Sequence, residues 1–372
     1  MTRKILYISG TRADFGLMRR TLEAIHVAPG LSLAVVATGM HLSATHGDTI
    51  REIEASGLPL VARVPVATEP ATGATMARGI GAMIAAFTDV LEAERPDIVL
   101  LLGDRGEMLA GAIAAIHLGV AVAHVHGGER SGTVDEPVRH AVSKLAHIHL
   151  AATEGARERL VRMGEDPANV HVTGAPGLDG LTEGIRADRT AVAARHELDA
   201  SRPFALMVYH PVLQEAASAG AEAALVLDTI LAAGMQALVL MPNADAGSDG
   251  VRAALKTRCG PGVALATHLG REAFLDAMAA ADVMVGNSSA GIIEAASFGT
   301  PVVNVGTRQN LRERNANVVD VPAEAQAIGA ALARERSLPA NVYGDGRAAA
   351  RIVAALRTAV LDAGLMAKAN GY

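Results

Sequence analysis

The sequence predicts an α/β protein built from two successive parallel-sheet domains facing a common cleft. Three observations carry this expectation. Short apolar runs alternate with longer helical patterns along the whole chain, the mark of βαβ units and parallel sheet. The 372 residues are too many for one ordinary domain, and half of them are hydrophobic, enough for two cores. The alternation breaks at Gly174-Ala-Pro-Gly-Leu-Asp-Gly180 and then restarts, which puts a hinge there and divides the chain into 1–175 and 176–372.

In the first half, strands are predicted at 4–9, 31–38, 60–66, 97–102, 121–125, 148–152 and 170–173, with Ala-rich helices such as 75–93 and 107–117 between them. In the second half they are predicted at 204–209, 237–241, 263–266, 283–285 and 302–305, again separated by helices. The final helix, about 346–361, suits the second domain but also packing on the N-terminal one.

Composition removes several classes of function. Aromatic residues are 2% of the chain and Trp is absent, so the cores rest on Ala, Val, Leu, Ile and Met, and no aromatic binding platform is expected. A net charge of −6 argues against nucleic acid as a partner. The single cysteine, Cys259, excludes a disulfide framework and a cysteine-rich metal site. The N-terminus enters a strand without a signal-peptide core, and no uninterrupted apolar stretch reaches about 18 residues, so a cytoplasmic protein without a membrane partner is expected.

Ligands of parallel sheets bind at the C-terminal ends of the strands, so the residues after each strand carry the functional reading. After the first strand, Gly10-Thr-Arg12-Ala-Asp14-Phe-Gly16 is either an anion cradle or an ordinary βα turn. After the fourth, Asp104 is either a catalytic base or a helix cap. The fifth opens into His126-Gly-Gly-Glu129-Arg-Ser-Gly-Thr-Val-Asp135-Glu136-Pro-Val-Arg139-His140, a glycine turn crowded with acid/base groups. His124 and His126, two apart, are expected on one face of that strand. Neither a His-Glu-x-x-His helix nor a cysteine accompanies them or His147 and His149, so no metal is expected. Asp135 and Arg139, four apart on a helix, read as an active-site pair more than a surface pair, given Glu129 nearby.

In the second half, His210 ends a strand and is expected to contact ligand. Pro242-Asn243-Ala-Asp245-Ala-Gly-Ser248 offers polar groups suited to a base or sugar, and lacks the later acidic ligand of a calcium loop. Gly286-Asn-Ser288-Ser289-Ala-Gly-Ile-Ile-Glu294 is the strongest nucleotide signal: hydroxyls and free N–H groups at a helix start, with Glu294 one turn in to accept from ribose. Arg308 follows the next strand and supplies a cation. Gly79-Ile-Gly81 lies inside a helical pattern and is no dinucleotide fingerprint.

Taken in order along nearly the whole chain, these segments resemble the hydrolysing UDP-N-acetylglucosamine 2-epimerases of bacterial sialic acid and related nonulosonic acid synthesis. The resemblance implies two Rossmann-like domains in the glycosyltransferase-B architecture, a UDP-sugar as substrate, no cofactor, and a homo-oligomer, dimer or tetramer. It implies loss of the sugar C2 proton with anti departure of UDP from C1, giving 2-acetamidoglucal, followed by hydration with inversion at C2. By position, Asp104 and Asp135 match acid/base carboxylates and Arg139 a helper beside them. Arg12, Ser288 and Ser289 match diphosphate contacts, Glu294 the ribose contact, and His210 a donor near the leaving phosphates. Asn243, Asp245 and Arg308 match nucleotide-side or cleft positions. Some members carry a glutamate at the position of His126, which leaves His126 or Glu129 as the C2 base here. UDP-N-acetylglucosamine is the simplest substrate, with UDP-N,N′-diacetylbacillosamine the alternative. Further readings are a non-hydrolysing epimerase, a glycosyltransferase of the same architecture and a non-catalytic nucleotide-sugar sensor.

Overall fold

The computed structural model describes residues 2–43, 49–131, 135–183, 185–242 and 245–371. It contains two parallel sheets. The first holds β1 (Arg3–Ser9), β2 (Leu31–Thr38), β3 (Leu60–Val64), β4 (Ile98–Leu102), β5 (Ala121–Val125), β6 (Ile148–Ala151) and β7 (Val170–Val172), in the order 3-2-1-4-5-6-7. The second holds β8 (Phe204–Val208), β9 (Gln236–Leu240), β10 (Val263–Ala266), β11 (Val283–Gly286), β12 (Val302–Val305) and β13 (Val318–Val321), in the order 10-9-8-11-12-13. Each pairing between these strands is parallel. Strand order reverses between β1 and β4 and again between β8 and β11, so each sheet has one switch point where loops splay apart and a ligand can enter.

The helices of the first half are α1 (Arg12–Val27), α2 (Ile50–Ala55), α3 (Gly73–Glu94), α4 (Gly106–His117), α5 (Asp135–Leu145) and α6 (Glu154–Arg162). Those of the second are α7 (Arg189–Arg195), α8 (Ala219–Ala232), α9 (Ser248–Lys256), α10 (Arg271–Ala280), α11 (Ser289–Ile293), α12 (Ala325–Ala331), α13 (Ala348–Thr358) and α14 (Ala363–Ala367). Strands buried on both faces must be apolar throughout, which is why β4 reads Ile-Val-Leu-Leu-Leu. Alternate residues serve opposite layers. Ile5 and Tyr7 of β1 pack with Phe15, Met18 and Leu22 of α1, whereas Leu6 and Ile8 pack with Phe87 of α3 and Met108 of α4. The second sheet repeats the plan: Met207 faces Val226 and Ile230 of α8, and Leu206 faces Met278 of α10.

The chain then crosses back. Ile352 and Leu356 of α13 are buried in the same core as α1 and the first sheet. Arg3 fastens this return by donating to the Ala359 carbonyl at 2.8 Å.

One strand differs from expectation. β13 was not predicted: its four residues, Val-Val-Asp-Val, are at most half-buried at the sheet edge, too short an alternation to register in the sequence. α3, by length and composition, is apolar enough to cross a membrane, although Arg78, Asp89, Glu92 and Glu94 interrupt it. Its Met83, Phe87 and Leu91 are buried against the first sheet.

Candidate active site

The second switch point is built around Asn287. Its side chain clamps the two strand ends together, accepting from the His210 N–H at 2.7 Å and donating to the His210 carbonyl at 2.8 Å. Gly286 permits this closeness: its φ is +132°, and a Cβ there would stand 2.1 Å from the Val208 carbonyl oxygen. Arg308 and Gln309 then donate to the Asn287 carbonyl at 3.1 and 3.0 Å. Ser288 caps α11, accepting from the Ala290 N–H at 3.3 Å. α11 lasts only five residues before the chain tightens into a 3-10 helix at Ala295–Phe298, so Glu294 sits at the junction between the two.

A cavity of about 810 Å³ opens over this loop, lined by Arg12, His210, Ser288, Ser289, Glu294 and Arg308. Burial raises the pKa of Glu294 against the opposing pull of Arg271, whose guanidinium donates to it at 2.5 Å. Burial, and then the charge of Arg308, push the His210 imidazole down to about 3, so it is neutral at physiological pH. Its Nδ1 is buried without a hydrogen-bond partner among the described residues.

The two residues singled out after β1 separate. Arg12 reaches across to the second domain, donating to the Thr267 carbonyl at 3.2 Å and meeting His268 at 2.5 Å, while His268 pairs with Glu52 at 2.5 Å. Asp14, expected to bind substrate, is buried behind the cavity wall. Its carboxylate accepts from the Gly10 N–H at 3.0 Å, the Thr11 N–H at 2.6 Å and the Ser9 hydroxyl, and forms a capping box with Thr11. The reason is positional: third in the helix, it serves the orphan N–H groups of α1.

The first switch point carries the acid/base groups. β5 ends at Val125, and His126 turns out of the strand with a φ of +65°. His124 stays in the strand, within 3.1 Å of the Ser143 hydroxyl and 2.7 Å of the Gly103 carbonyl. The left-handed step at His126 thus overturns the expectation that both histidines belong to one strand face. Gly128 completes the turn at φ +77°, where a Cβ would lie 2.3 Å from the Ala156 carbonyl oxygen.

Around this turn the charges form one network. Arg139, fully buried on α5, pairs with Asp104 at the end of β4, and donates to the Glu129 carbonyl at 3.2 Å and the Ser131 hydroxyl at 3.3 Å. One carboxylate oxygen of Glu129 meets His126 Nδ1, and the other pairs with Arg312 of the second domain. Arg312 also lies 4.0 Å from Asp104. Burial, reinforced by Arg312, pushes His126 down to about 3 and keeps it neutral. A neutral imidazole that meets a carboxylate through Nδ1 carries its proton there, leaving a lone pair on Nε2.

Two more charge pairs cross the cleft. Asp135, first residue of α5, lies 3.7 Å from Arg308, and Asp245 lies 3.3 Å from Arg105. Burial would raise the Asp245 pKa, but Arg105 and Arg308 together hold it below the usual carboxylate range. Asn243 lies outside the described residues. The remaining histidine pair serves structure: His147 Nδ1 accepts from the Val122 N–H at 3.0 Å and His149 meets Glu165 at 2.8 Å. Among the described residues no cluster of three or more His, Cys, Asp or Glu side chains could hold a metal ion.

Of the residues singled out from the sequence, Asp104, His126, Glu129 and Arg139 come together in one network, and Ser288, Ser289, Glu294 and His210 line one cavity. No role was read from the sequence for Arg271 or Arg312, and none for Arg105 or Asn287, although both of the latter stand inside segments singled out there. Arg312 stands four residues after Arg308, and that nearness to a residue already singled out is the available signal.

Two doubly wound sheets whose switch points face one cleft define the glycosyltransferase-B class of two-domain folds. Residues 23–357 match the family model described as UDP-N-acetylglucosamine 2-epimerase, and the chain belongs to that family of enzymes. A Legionella pneumophila protein named UDP-N,N′-diacetylbacillosamine 2-epimerase (hydrolyzing) is 46% identical over 377 residues, covering 100% of both chains. A Neisseria meningitidis UDP-N-acetylglucosamine 2-epimerase is 34% identical, covering 90% of this chain and 88% of its own. Among solved structures, S. aureus MnaA with UDP superposes with a TM-score of 0.79 at 21% identity, covering 95% of each chain.

Proposed function

We propose that the protein is a hydrolysing 2-epimerase of UDP-N,N′-diacetylbacillosamine, releasing UDP and the free 2-epimeric sugar. The reaction type rests on one observation above all: a neutral His126, oriented through Nδ1 by Glu129, stands beside the Asp104–Arg139 pair. In this reading His126 Nε2 takes the C2 proton. The C–H electron pair becomes the C1=C2 bond as the C1–O bond breaks, and the pair from that bond leaves on UDP. Arg308, His210 and the hydroxyls of Ser288 and Ser289 receive the charge that develops on the diphosphate. Hydration then returns a proton to C2 from the opposite side and puts hydroxide on C1, with Asp104 and Asp135 as the acid/base carboxylates.

The choice of sugar rests on the full-length 46% identity to the Legionella pneumophila protein. It favours the alternative named from the sequence over UDP-N-acetylglucosamine. UDP-N-acetylglucosamine remains a second reading, supported by the 34% identity to the Neisseria meningitidis enzyme. NMR of the purified protein with each sugar nucleotide tests both. The expected products from the diacetylated substrate are UDP and a free manno-configured sugar. A UDP-linked epimer formed without UDP release would refute the hydrolysing reaction.

A further inference from the structure

The cleft continues past the acid/base groups. Arg308 lines both the cavity over the Asn287 loop and a smaller one of about 320 Å³. Asp135, Asp245 and Met76 line this smaller cavity together with a third, of about 670 Å³, that lies between α3 and the loops after β2, β3 and β4. Its wall combines the apolar side chains of Met40, Met76 and Ile80 with the hydroxyls of Thr68, Thr72 and Thr75, and with Arg105, which is engaged with Glu107 at 3.0 Å and Asp245 at 3.3 Å. Of the residues that line it, only Asp135 takes part in the proposed reaction.

The chemistry of a pyranose says what would enter it. C4 stands across the ring from C1, and C6 branches from C5 beside C4. With the diphosphate at Arg308 and the reacting C1–C2 edge at Asp135, the substituents on C4 and C6 are directed past Asp135 and Asp245. We propose that the cavity beside α3 is the subsite for those substituents, and that it selects an acetamido group at C4 and a methyl group at C6. The inference rests on the function proposed above and deepens it.

Met40, Met76 and Ile80 would cover the two methyl groups, for which flexible thioethers are well suited. Thr72 and Thr75 are engaged with each other at the start of α3, the Thr72 hydroxyl accepting from the Thr75 N–H at 3.2 Å. We assign Thr68 as the hydroxyl that meets the C4 amide. UDP-N-acetylglucosamine has hydroxyls at C4 and C6, which would lose water against methionine and isoleucine without full replacement of their hydrogen bonds.

Gly79 lines the same cavity, and a Cβ there would meet nothing nearer than the Ala67 carbonyl at 3.9 Å. Gly79→Leu therefore extends a side chain into the subsite without touching the acid/base network. The measurement is kcat/KM for UDP release from UDP-N,N′-diacetylbacillosamine and from UDP-N-acetylglucosamine, in parent and variant. Gly79→Leu is expected to lower the value for the diacetylated sugar roughly tenfold or more while UDP-N-acetylglucosamine stays within about twofold. Equal losses on the two substrates would overturn the subsite. Should Gly79→Leu fail to fold, Met76→Ala decides, since it only removes atoms: it must narrow the preference for the diacetylated sugar, and an unchanged preference overturns the proposal. A parent enzyme that turns over neither nucleotide refutes the proposed function itself, a result distinct from either variant outcome.

Discussion

His126 shows how one dihedral angle separates two neighbouring histidines. At φ +65° it leaves β5 and joins Glu129 and Arg312, while His124, two residues earlier, is held by Ser143 and Gly103. Asp104 is the residue on which the catalytic reading depends most directly. Asp104→Asn keeps the side-chain shape but removes the carboxylate that faces Arg139. Turnover is expected to fall by about a hundredfold or more, the usual range for a lost acid/base group. UDP affinity, measured by calorimetry, should be little changed, because Asp104 does not line the cavity proposed to hold the diphosphate. Unchanged turnover would remove Asp104 from the mechanism. Residue types at strand ends made the first-domain side of this network legible in the sequence. The partners were not: Arg312 reaches Glu129 across 183 positions, and no local pattern encodes a pairing made only when two sheets face each other.

At the level of elements, legibility followed burial. Strands with two buried faces, such as β4 and β5, read correctly to within a residue, because a continuous apolar run bounded by turn residues has one interpretation. The edge strand β13 left no such run. The strand ends that build the site depend on glycines whose purpose only the fold reveals. Gly286→Ala would press a methyl group into the Val208 carbonyl at a φ that L side chains rarely adopt. A loss of roughly 1–3 kcal/mol is expected for such a strained position, with more if the clash cannot relax. Urea unfolding measures it, and UDP binding should weaken in parallel, since β8 and β11 must separate and Asn287 with them. A variant as stable as the parent would show that the switch point tolerates a wider gap.

At the scale of the molecule, buried histidines tie stability to acidity. Burial holds His124, His126 and His210 each near 3, below the ordinary value of about 6.5. Between those two values the unfolded chain binds protons that the folded chain refuses. Their contribution to stability is therefore complete above pH of about 6.5 and is lost as pH falls toward about 3. The urea midpoint is expected to drop between about pH 7 and about pH 5, and His124→Gln should shrink that drop. An identical pH dependence in the variant would exclude His124 as a source.

The return of the chain from the second sheet to the first has a consequence for how the protein is made. α13 supplies Ile352 and Leu356 to the core that also holds Met18, Leu22 and Ile25 of α1. Domains generally form in order as they emerge during synthesis. Here α1 has an apolar flank whose cover, α13, is translated only after the whole of the second sheet. Until α13 emerges, that flank stays open to chaperones or to other nascent chains, so the first sheet can close only after the second has been made.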